Sequence, residues 1–315
     1  MEQMKAVVYN RTNKPDKLTY CDVDKPVPTD NQVLIKVLSV YVNAADYRSM
    51  KMGMIPKKKI FGADVAGRVE SIGKNIQNLK TGDDVIGDLA SFGFGGFAEY
   101  AVAPEKAVVL KPANLSFDVA AALPISAVTA LQALRDKGKI LKGQMVLIYG
   151  GGGGVGTFAI QLAKYFGAVV TVVCGSQNVD QSRLLGADYI IDYSKEDFLK
   201  SDNRYDLILA INGSRRLIDY KRALKPDGRY VMVGGSISQI FKSLFFGWLM
   251  SIGSKKMYFL AAKSIQKDLE YVTMLAASDK IKSVIDRYYS LDKVADAMRY
   301  LSDGHARGKV IIKVD

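Results

Sequence analysis

The chain of 315 residues contains one histidine and two cysteines, which restricts the kinds of site that it can build. Cys21 and Cys174 lie far apart in sequence and offer no disulfide framework, as expected of a protein in a reducing compartment. Catalytic and structural zinc sites draw their ligands from cysteine, histidine and carboxylate side chains. Because His305 is the only histidine and the cysteines are not clustered, the sequence predicts no zinc site.

Acidic residues are fewer than basic ones. The chain has 32 Asp and Glu against 44 Lys and Arg, which gives a formal net charge of +12. The basic residues form short groups such as 57–59, and no recognised nucleic-acid motif accompanies them. We therefore interpret the charge as a generally basic, solvated surface and expect no nucleic-acid partner.

No apolar run has the length of about 20 residues that a bilayer-spanning helix needs. An apolar stretch over 244–250 contains the only tryptophan, Trp248, and lies between Lys242 and Lys255. Two interpretations of 240–259 stay open: a buried helix beside the cleft or at a subunit interface, and a lipophilic-substrate lid or peripheral membrane contact. The N-terminus lacks the apolar region of a signal peptide, so we expect a cytoplasmic protein without a transmembrane segment.

The first 120 residues are rich in short alternating or β-branched segments separated by turns, which predicts a partly closed β-barrel. The predicted strands are 5–9, 32–40, 64–72, 84–87, 97–102 and 107–111. After Ser116 the pattern turns to helices and then to strands that alternate with helices. This alternation predicts an α/β domain with a doubly wound parallel sheet, which binds ligands at the carboxyl ends of its strands.

The second part of the chain contains five predicted strands and five predicted helices. The strands are 145–149, 169–173, 189–191, 205–210 and 229–233, and the helices are 118–123, 127–134, 155–166, 178–185 and 214–224. A final helix over 292–301 leads into strand 309–314, which we expect to return to the first domain. The predicted domains are 1–122, completed by about 265–315, and 123–264.

A run of glycines stands between a predicted strand and a predicted helix. The strand Met145–Tyr149 leads into 150–156, Gly-Gly-Gly-Gly-Gly-Val-Gly, and a further strand, 169–173, follows the helix. The GxGxxG spacing in this run suits a tight turn, a close approach of backbone to phosphate and close packing of helix on strand. We therefore predict a nicotinamide dinucleotide at the helix N-terminus rather than a flexible loop. The predicted contacts are Gly151, Gly153, Gly154, Val155 and Gly156.

The end of the second strand of this unit bears on the choice between NADH and NADPH. NAD sites usually place Asp or Glu there to bind the ribose hydroxyls. The segment here reads Val173-Cys-Gly-Ser-Gln-Asn178 and contains no acid. A short polar loop leaves room for a 2′-phosphate without repelling it, so the sequence predicts NADPH in preference to NADH.

Ordered motifs run along nearly the whole chain. They are Lys5-Ala-Val-Val-Tyr9, Val42-Asn-Ala-Ala-Asp46, Gly62-Ala-Asp-Val-Ala-Gly67, Gly82-Asp-Asp-Val85, Gly96-Phe-Ala-Glu-Tyr-Ala101, Leu123-Pro-Ile-Ser-Ala-Val-Thr-Ala130, the glycine run, Leu185-Gly-Ala-Asp188, Leu224-Lys-Pro-Asp-Gly-Arg229 and Gly308-Lys309. With them the chain resembles the medium-chain dehydrogenase/reductases, and within these the zinc-free branch of quinone oxidoreductases and alkenal reductases. The resemblance implies a GroES-like barrel domain, a Rossmann domain for the cofactor, and a homodimer.

The same resemblance implies roles for single residues. Zinc alcohol dehydrogenases carry Gly-His-Glu where this chain reads Gly-Ala-Asp64, so we expect Asp64 to be a structural carboxylate rather than a metal ligand. Ser176 and Asn178 match the loop that holds the adenosine phosphate in similar quinone oxidoreductases. Tyr193 matches a tyrosine that lines this pocket, the alternative being a core or surface aromatic.

At the nicotinamide end, the resemblance points to Thr129 and to the loop Gly234-Gly235-Ser236 as cofactor contacts. Lys309 is expected to reach a cofactor phosphate, and a solvated lysine beside the last strand is the alternative.

Asn43 and Tyr47 match cleft positions of the family and are the candidate catalytic residues. Asn43 would donate a hydrogen bond to a ribose or substrate oxygen, and Tyr47 to a carbonyl that develops negative charge. A turn asparagine and an ordinary aromatic are the alternatives. The resulting interpretation is a zinc-independent reductase that uses NADPH to deliver hydride to a quinone or an α,β-unsaturated carbonyl. The competing class is a non-catalytic protein of the same fold that senses NADPH or binds RNA.

We expect the purified protein to contain no stoichiometric zinc and to keep its activity in EDTA, because the chain lacks the ligands of a zinc site. Elemental analysis of protein expressed in zinc-supplemented medium tests this. A content of about one zinc per chain that survives dialysis against the chelator would contradict it.

Overall fold

The computed structural model describes residues 2–10, 18–56, 58–200, 204–235, 251, 253–304 and 306–314. The chain divides into two compact units. Unit 1 comprises Met1–Ile125, Ser264–Asp279 and Ser283–Asp315, and unit 2 comprises Ser126–Lys263 and Lys280–Lys282. Most of 240–259 lies outside the described residues, as do Ser236, Trp248 and His305.

The strands are numbered along the chain. They are β1 (Gln3–Tyr9), β2 (Leu18–Asp24), β3 (Gln32–Tyr41), β4 (Asp64–Ile72), β5 (Asp84–Asp88), β6 (Tyr100–Pro104), β7 (Val108–Leu110), β8 (Met145–Tyr149), β9 (Val169–Cys174), β10 (Tyr189–Asp192), β11 (Tyr205–Ile211), β12 (Leu224–Val233), β13 (Lys256–Leu260), β14 (Ile285–Ser290) and β15 (Lys309–Lys313).

The described α-helices are numbered in the same way. They are α1 (Ala44–Lys51), α2 (Phe117–Ala121), α3 (Pro124–Gln132), α4 (Gly154–Tyr165), α5 (Val179–Leu184), α6 (Leu217–Ala223), α7 (Gln266–Ala277) and α8 (Val294–Ser302).

Strand β3 is the centre of the unit 1 sheet. One of its edges pairs antiparallel with β4, whereas the other pairs antiparallel with β6 over 32–36 and with β15 over 39–41. The sheet order is β14-β15-β3-β4-β5-β7, and β1 and β2 form a separate antiparallel ribbon. Val33, Ile35 and Val37 alternate into the core and are almost completely buried, as the period of two along a strand requires.

Helix α8 completes the unit 1 core. Its residues Val294, Ala297 and Met298 are spaced three and four apart, face one side of the helix and are fully buried in the same cluster as the strand residues. The last strand, β15, follows this helix and brings Val310 and Ile312 into that cluster. The C-terminal part of the chain therefore contributes to the barrel core.

Unit 2 is built on a sheet of six parallel strands. Their order is β10-β9-β8-β11-β12-β13, which is 3-2-1-4-5-6 in chain order within the unit. This is the dinucleotide-binding order, and it confirms the predicted doubly wound sheet. The order reverses between β8 and β11, so the carboxyl ends of these two strands flank the crevice in which such sheets bind ligands.

Five of these elements were not predicted from the sequence: β2, α1, β13, α7 and β14. Strand β13 includes 256–259, so this end of the segment interpreted as a buried helix is a strand. Strands β2 and β14 have mostly exposed or half-buried side chains, so they carry a weak apolar period. Several predicted bounds also moved, among them the start of β12, which lies at Leu224 rather than at residue 229. The strand predicted at 97–102 is β6, which begins at Tyr100, and the helix predicted from residue 127 is α3, which begins at Pro124 because proline is favoured in a first helical turn.

Among the described residues, no helix combines the length and the apolarity that crossing a membrane requires.

Asp46 ties helix α1 to the turn before β4. Its Oδ2 accepts a hydrogen bond from the Asn43 backbone N–H at 2.8 Å, and its Oδ1 accepts one from the Gly62 N–H at 3.0 Å. Gly62 has a φ of +95°, and a Cβ atom there would lie 2.5 Å from the backbone nitrogen of Phe97. Only glycine can adopt this positive φ and also leave room for the Phe97 backbone, so any other residue at this position would be strained.

Replacement of Gly62 by alanine should destabilise unit 1 more than the same change at Gly82. Both glycines have a positive φ, +95° and +92°, but nothing lies within 4 Å of the Cβ position at Gly82. We expect Gly82→Ala to lower the free energy of unfolding by about 1–2 kcal/mol, from backbone strain alone. Gly62→Ala should lower the free energy of unfolding by about 2 kcal/mol more than Gly82→Ala, because the backbone of Gly96 and Phe97 must move to make room for the new Cβ atom. Chemical denaturation of both variants measures the difference, and equal losses would contradict the close packing at Gly62.

Candidate functional site

The turn between β8 and α4 presents backbone amides at the start of a helix. Strand β8 ends at Tyr149, Gly150 takes a left-handed φ of +92°, and Gly153 caps α4 in an extended conformation without any side-chain cap. The first N–H groups of a helix have no partner within the helix, and they carry its positive dipole end. This turn is therefore suited to bind an anion.

The glycines of this turn differ in what surrounds them. A Cβ atom at Gly151 would lie 2.3 Å from Val172 Cγ1, one at Gly152 would lie 2.3 Å from Asn178 Nδ2, and one at Gly156 would lie 2.3 Å from the Gly150 oxygen. At Gly153 no protein atom lies within 4 Å of the Cβ position. Three glycines thus allow the turn to pack against the protein, whereas Gly153 leaves open space at the helix N-terminus. That space fits the pyrophosphate of a dinucleotide.

Two residues predicted for the adenosine end occupy different surroundings. Asn178 is half-buried and its amide packs against Gly152. Tyr193 is 56% exposed, and its hydroxyl lies 2.9 Å from the Cβ position of Gly175, so the ring covers the start of the loop after β9. Tyr193 is therefore a surface aromatic beside the loop, where an adenosine could contact it.

The structure adds Asp192 to this end, which sequence reasoning missed. Asp192 is the last residue of β10, which pairs in parallel with β9 and sets Asp192 opposite Cys174. The Ser176 hydroxyl donates to Asp192 Oδ2 at 2.6 Å. An acid is absent from the loop itself, but the neighbouring strand supplies one. The signal that could have found it is the predicted doubly wound sheet, in which the ends of adjacent parallel strands lie side by side.

Two further predicted residues, Gly234 and Gly235, lie at the carboxyl edge of the sheet. A Cβ atom at Gly150 would lie 2.3 Å from the Ile211 carbonyl oxygen, so the ends of β8 and β11 are in close contact. Gly234 and Gly235 follow β12 directly with φ of +65° and +130°. Thr129 lies on α3 and is 7% exposed.

In unit 1, the two candidate catalytic residues belong to the start of α1. Asn43 is the N-cap residue and is 2% exposed, and its Nδ2 makes no well-formed hydrogen bond among the described residues. Its backbone position is fixed by Asp46, whose pKa is raised to about 7 by burial. Tyr47 is half-buried, with Lys51 Nζ 5.8 Å from its ring centroid. A buried amide donor that lacks a well-formed bond is suited to meet a ligand oxygen.

Asp64 and Lys309 are buried close to Asn43. Burial raises the pKa of Asp64 well above its ordinary value, and the nearby carboxylate of Asp88 adds to this, while a hydrogen bond from the Asn43 side chain and the charge of Lys309 oppose it. Both oxygens of Asp64 accept from the Ile125 backbone N–H, at 3.2 and 3.1 Å. This bond gives Asp64 the structural role expected of it.

Lys309 has no exposed surface, and its Nζ lies 4.0 Å from the centroid of the Tyr41 ring. Burial lowers the pKa of Lys309 to about 7, against the attraction of Asp64. The alternative of a solvated lysine is therefore wrong. Contact of Lys309 with a cofactor phosphate stays a prediction.

The described residues contain no cluster of His, Cys, Asp and Glu that could hold a metal ion. The buried aspartates instead accept hydrogen bonds from backbone amides, such as Gly62 N–H to Asp46 and Ile125 N–H to Asp64. The predicted absence of zinc stays a prediction for solution measurement.

Two family models match the chain. The alcohol dehydrogenase GroES-like domain matches residues 29–113, and the zinc-binding dehydrogenase model matches residues 185–312. These matches confirm the GroES-like fold of the N-terminal strands and the family of the nucleotide-binding part.

Named relatives cover nearly the whole chain. It is 33% identical to the chloroplast envelope quinone oxidoreductase homolog of Arabidopsis thaliana, over 94% of each chain. It is 31% identical to the NADPH-dependent alkenal/one oxidoreductase, chloroplastic, of the same plant, over 99% of this chain and 80% of that one. The solved quinone oxidoreductase from Coxiella burnetii matches 100% of both chains with a TM-score of 0.90 and 31% identity. The chain therefore belongs to the medium-chain dehydrogenase/reductase superfamily, within its quinone oxidoreductase and alkenal reductase branch, and is an oxidoreductase.

Proposed function

We propose that this protein is an NADPH-dependent reductase that delivers hydride to a quinone or an α,β-unsaturated carbonyl without a zinc ion. The observation that carries the proposal is the open position at Gly153, at the N-terminus of α4 and beside the switch point of the sheet. It favours a dinucleotide, and the relatives with names of quinone and alkenal reductases favour this class of acceptor.

The chain would hold the cofactor mainly with backbone. The amides of Gly154, Val155 and Gly156 at the start of α4 would bind the pyrophosphate, with Gly153 giving it room. Bound NADPH supplies the hydride. Thr129, Gly234, Gly235 and Ser236 are proposed for the nicotinamide end, and Lys309 for a phosphate.

Asn43 and Tyr47 are proposed to bind the acceptor oxygen. The Asn43 side chain lies within hydrogen-bonding reach of Asp64, but its buried Nδ2 makes no well-formed bond to a described residue, so a ligand oxygen would complete its hydrogen bonding. Asp46 positions Asn43 by accepting from its backbone N–H, at 2.8 Å. A donor held in place before the reaction stabilises the enolate or hydroquinone oxygen as charge develops there. An acceptor that is already electrophilic does not require a Lewis acid, unlike the oxidation of a simple alcohol.

The preference for NADPH is supported by the loop after β9. The segment from Gly175 to Asn178 contains no acid, and the exposed Tyr193 covers its start. Lys195, with a side chain that is 76% exposed, adds a positive charge beside Ser176 and Asp192. A 2′-phosphate would meet this charge, which it shares with Asp192, and no residue of the loop itself would repel it.

We also propose a cytoplasmic homodimer. The two cysteines are unpaired, which suits a reducing compartment. The homodimer rests on the family resemblance, and sedimentation velocity is its test.

Asn43→Ala and Tyr47→Phe should lower turnover by on the order of 10- to 100-fold, with a small change in the Kd for NADPH, because their hydrogen bonds strengthen as charge develops on the acceptor. The measurement is NADPH oxidation with 1,4-naphthoquinone and a panel of alkenals, with simple saturated alcohols tested in reverse and expected to react scarcely. Tyr20→Phe on β2 changes a tyrosine that is 44% exposed and serves as the matched control.

Normal turnover by both variants would make these two residues structural. If the unchanged protein binds NADPH but no quinone, alkenal or ketone oxidises it, a non-catalytic sensor becomes the better description.

Gly153→Val should abolish cofactor binding while leaving the fold intact. The Cβ position at Gly153 meets no protein atom within 4 Å, and its φ is −89°, which valine can adopt. The side chain would fill the space for the pyrophosphate and weaken NADPH binding by on the order of 100-fold or more. Calorimetric titration measures the loss, and an unchanged Tm controls for folding. Normal NADPH affinity in a folded Gly153→Val protein would reject the assignment of this turn.

A further inference from the structure

Asp192 is a buried carboxylate beneath two exposed serines. It is 7% exposed, whereas Ser176 and Ser194 both lie at the surface. Oδ2 of Asp192 accepts from the Ser176 hydroxyl at 2.6 Å. Oδ1 accepts from the Ser194 hydroxyl at 2.7 Å and from the Ser194 backbone N–H at 3.0 Å. Both serines are thus oriented by one acid.

The direction of these bonds decides what the serines can do for a ligand. A serine hydroxyl has a single proton, and an ionised carboxylate can only accept. Since Ser176 and Ser194 both give their protons to Asp192, the two hydroxyl oxygens, 3.1 Å apart, have only lone pairs left to offer. They can accept from a ribose 2′-hydroxyl, but they cannot donate to a 2′-phosphate.

The negative charge of Asp192 also disfavours a 2′-phosphate. These hydrogen bonds, first from Ser176 and then from Ser194, lower the pKa of Asp192 to about 2, so the group is ionised across the ordinary pH range. Lys195 is the cation nearby, with Nζ 3.6 Å from Asp192 Oδ2. The carboxylate therefore repels a phosphate and also competes for the positive charge that would attract one.

We propose that Asp192 is a specificity-determining residue that limits the preference for NADPH over NADH by holding the protons of Ser176 and Ser194. The inference rests on the proposed function, in which the loop after β9 binds the adenosine ribose. Removal of the carboxylate would release a serine proton and Lys195 together, and both would then serve a 2′-phosphate.

The experiment uses 2′,5′-ADP and 5′-AMP as probes, because they differ in the 2′-phosphate and lack the nicotinamide. Calorimetric titration of the 315-residue chain gives both Kd values. We expect Asp192→Asn to bind 2′,5′-ADP about tenfold more tightly, the size of one charge-assisted hydrogen bond gained. The Kd of 5′-AMP should change less than about twofold. The Kd of NADH divided by the Kd of NADPH should therefore rise, in parallel with the Kd of 5′-AMP divided by the Kd of 2′,5′-ADP.

Ser176→Ala completes a double-mutant cycle. In the natural sequence it should weaken 2′,5′-ADP binding by less than about twofold, because Ser176 has no proton to give. In the Asp192→Asn background, Ser176→Ala should lower the affinity for 2′,5′-ADP several times more than it does in the natural sequence. Asp180→Asn removes one negative charge from α5, at a side chain that is 94% exposed and pairs with Arg183, and is the control for a change of net charge with release of a paired cation.

The outcomes separate this inference from the proposed function. Unchanged 2′,5′-ADP affinity in folded Asp192→Asn, equal gains for both probes, or the same gain in Asp180→Asn would overturn the role of Asp192 while leaving the cofactor site in place. Absence of binding of both probes and of NADPH to the natural protein would instead remove the adenosine site and the proposed function with it. If the asparagine variant does not fold, Asp192→Ser, measured in the same way, decides between these outcomes.

Discussion

The parallel pairing of β8 with β9 on one side and β11 on the other is the constraint on which the nucleotide-binding edge depends. Parallel pairing aligns the carboxyl ends of the strands, so the turns that follow them meet at one edge. The glycine turn after β8 can pack that tightly only because its residues lack side chains: Gly150 approaches Ile211, and Gly151 approaches Val172. The same pairing rule, one strand further out, brings Asp192 to Ser176.

Unit 1 buries the carboxylates of Asp46 and Asp64, and their burial is energetically costly. Asp46 and Asp64 have no exposed surface, and burial raises the pKa of both. Ionisation of Asp46 therefore destabilises the fold progressively as pH rises from its ordinary pKa to about 7. The cost of burying each carboxylate is offset in part by a hydrogen bond that it accepts from a backbone amide, and this bond fixes a turn or the start of a helix. Ser264 donates to Asp88 in the same way and ties the segment before α7 to β5.

These two features suit a catalyst that works by orientation. The amides at the start of α4, proposed to bind the cofactor phosphates, belong to the backbone and cannot change rotamer, and Asn43 is held by Asp46 before any ligand arrives. Donors fixed in advance lose little freedom when charge develops on the acceptor, which is the main advantage of a preorganised site. Neither feature defines which quinone or enone is reduced, because that choice depends on the shape of the acceptor pocket.

Local patterns were enough to predict the fold of both domains and the glycine turn between β8 and α4. Glycine spacing, alternation of strand and helix, and ordered motifs depend on backbone conformation and periodicity, which a sequence shows directly. Contacts between residues that are distant in sequence could not be predicted from local patterns. Ser176 and Asp192 are 16 residues apart and touch because β10 pairs with β9, which changed an acid-free loop into one with a buried acid beneath it. Lys309 and Asp64 likewise meet only through the barrel, and burial there lowers the pKa of Lys309 to about 7. The sequence by itself determined the fold class and the glycine turn, whereas the tertiary structure decided hydrogen-bond direction and charge, because these depend on neighbours that only strand pairing and burial supply.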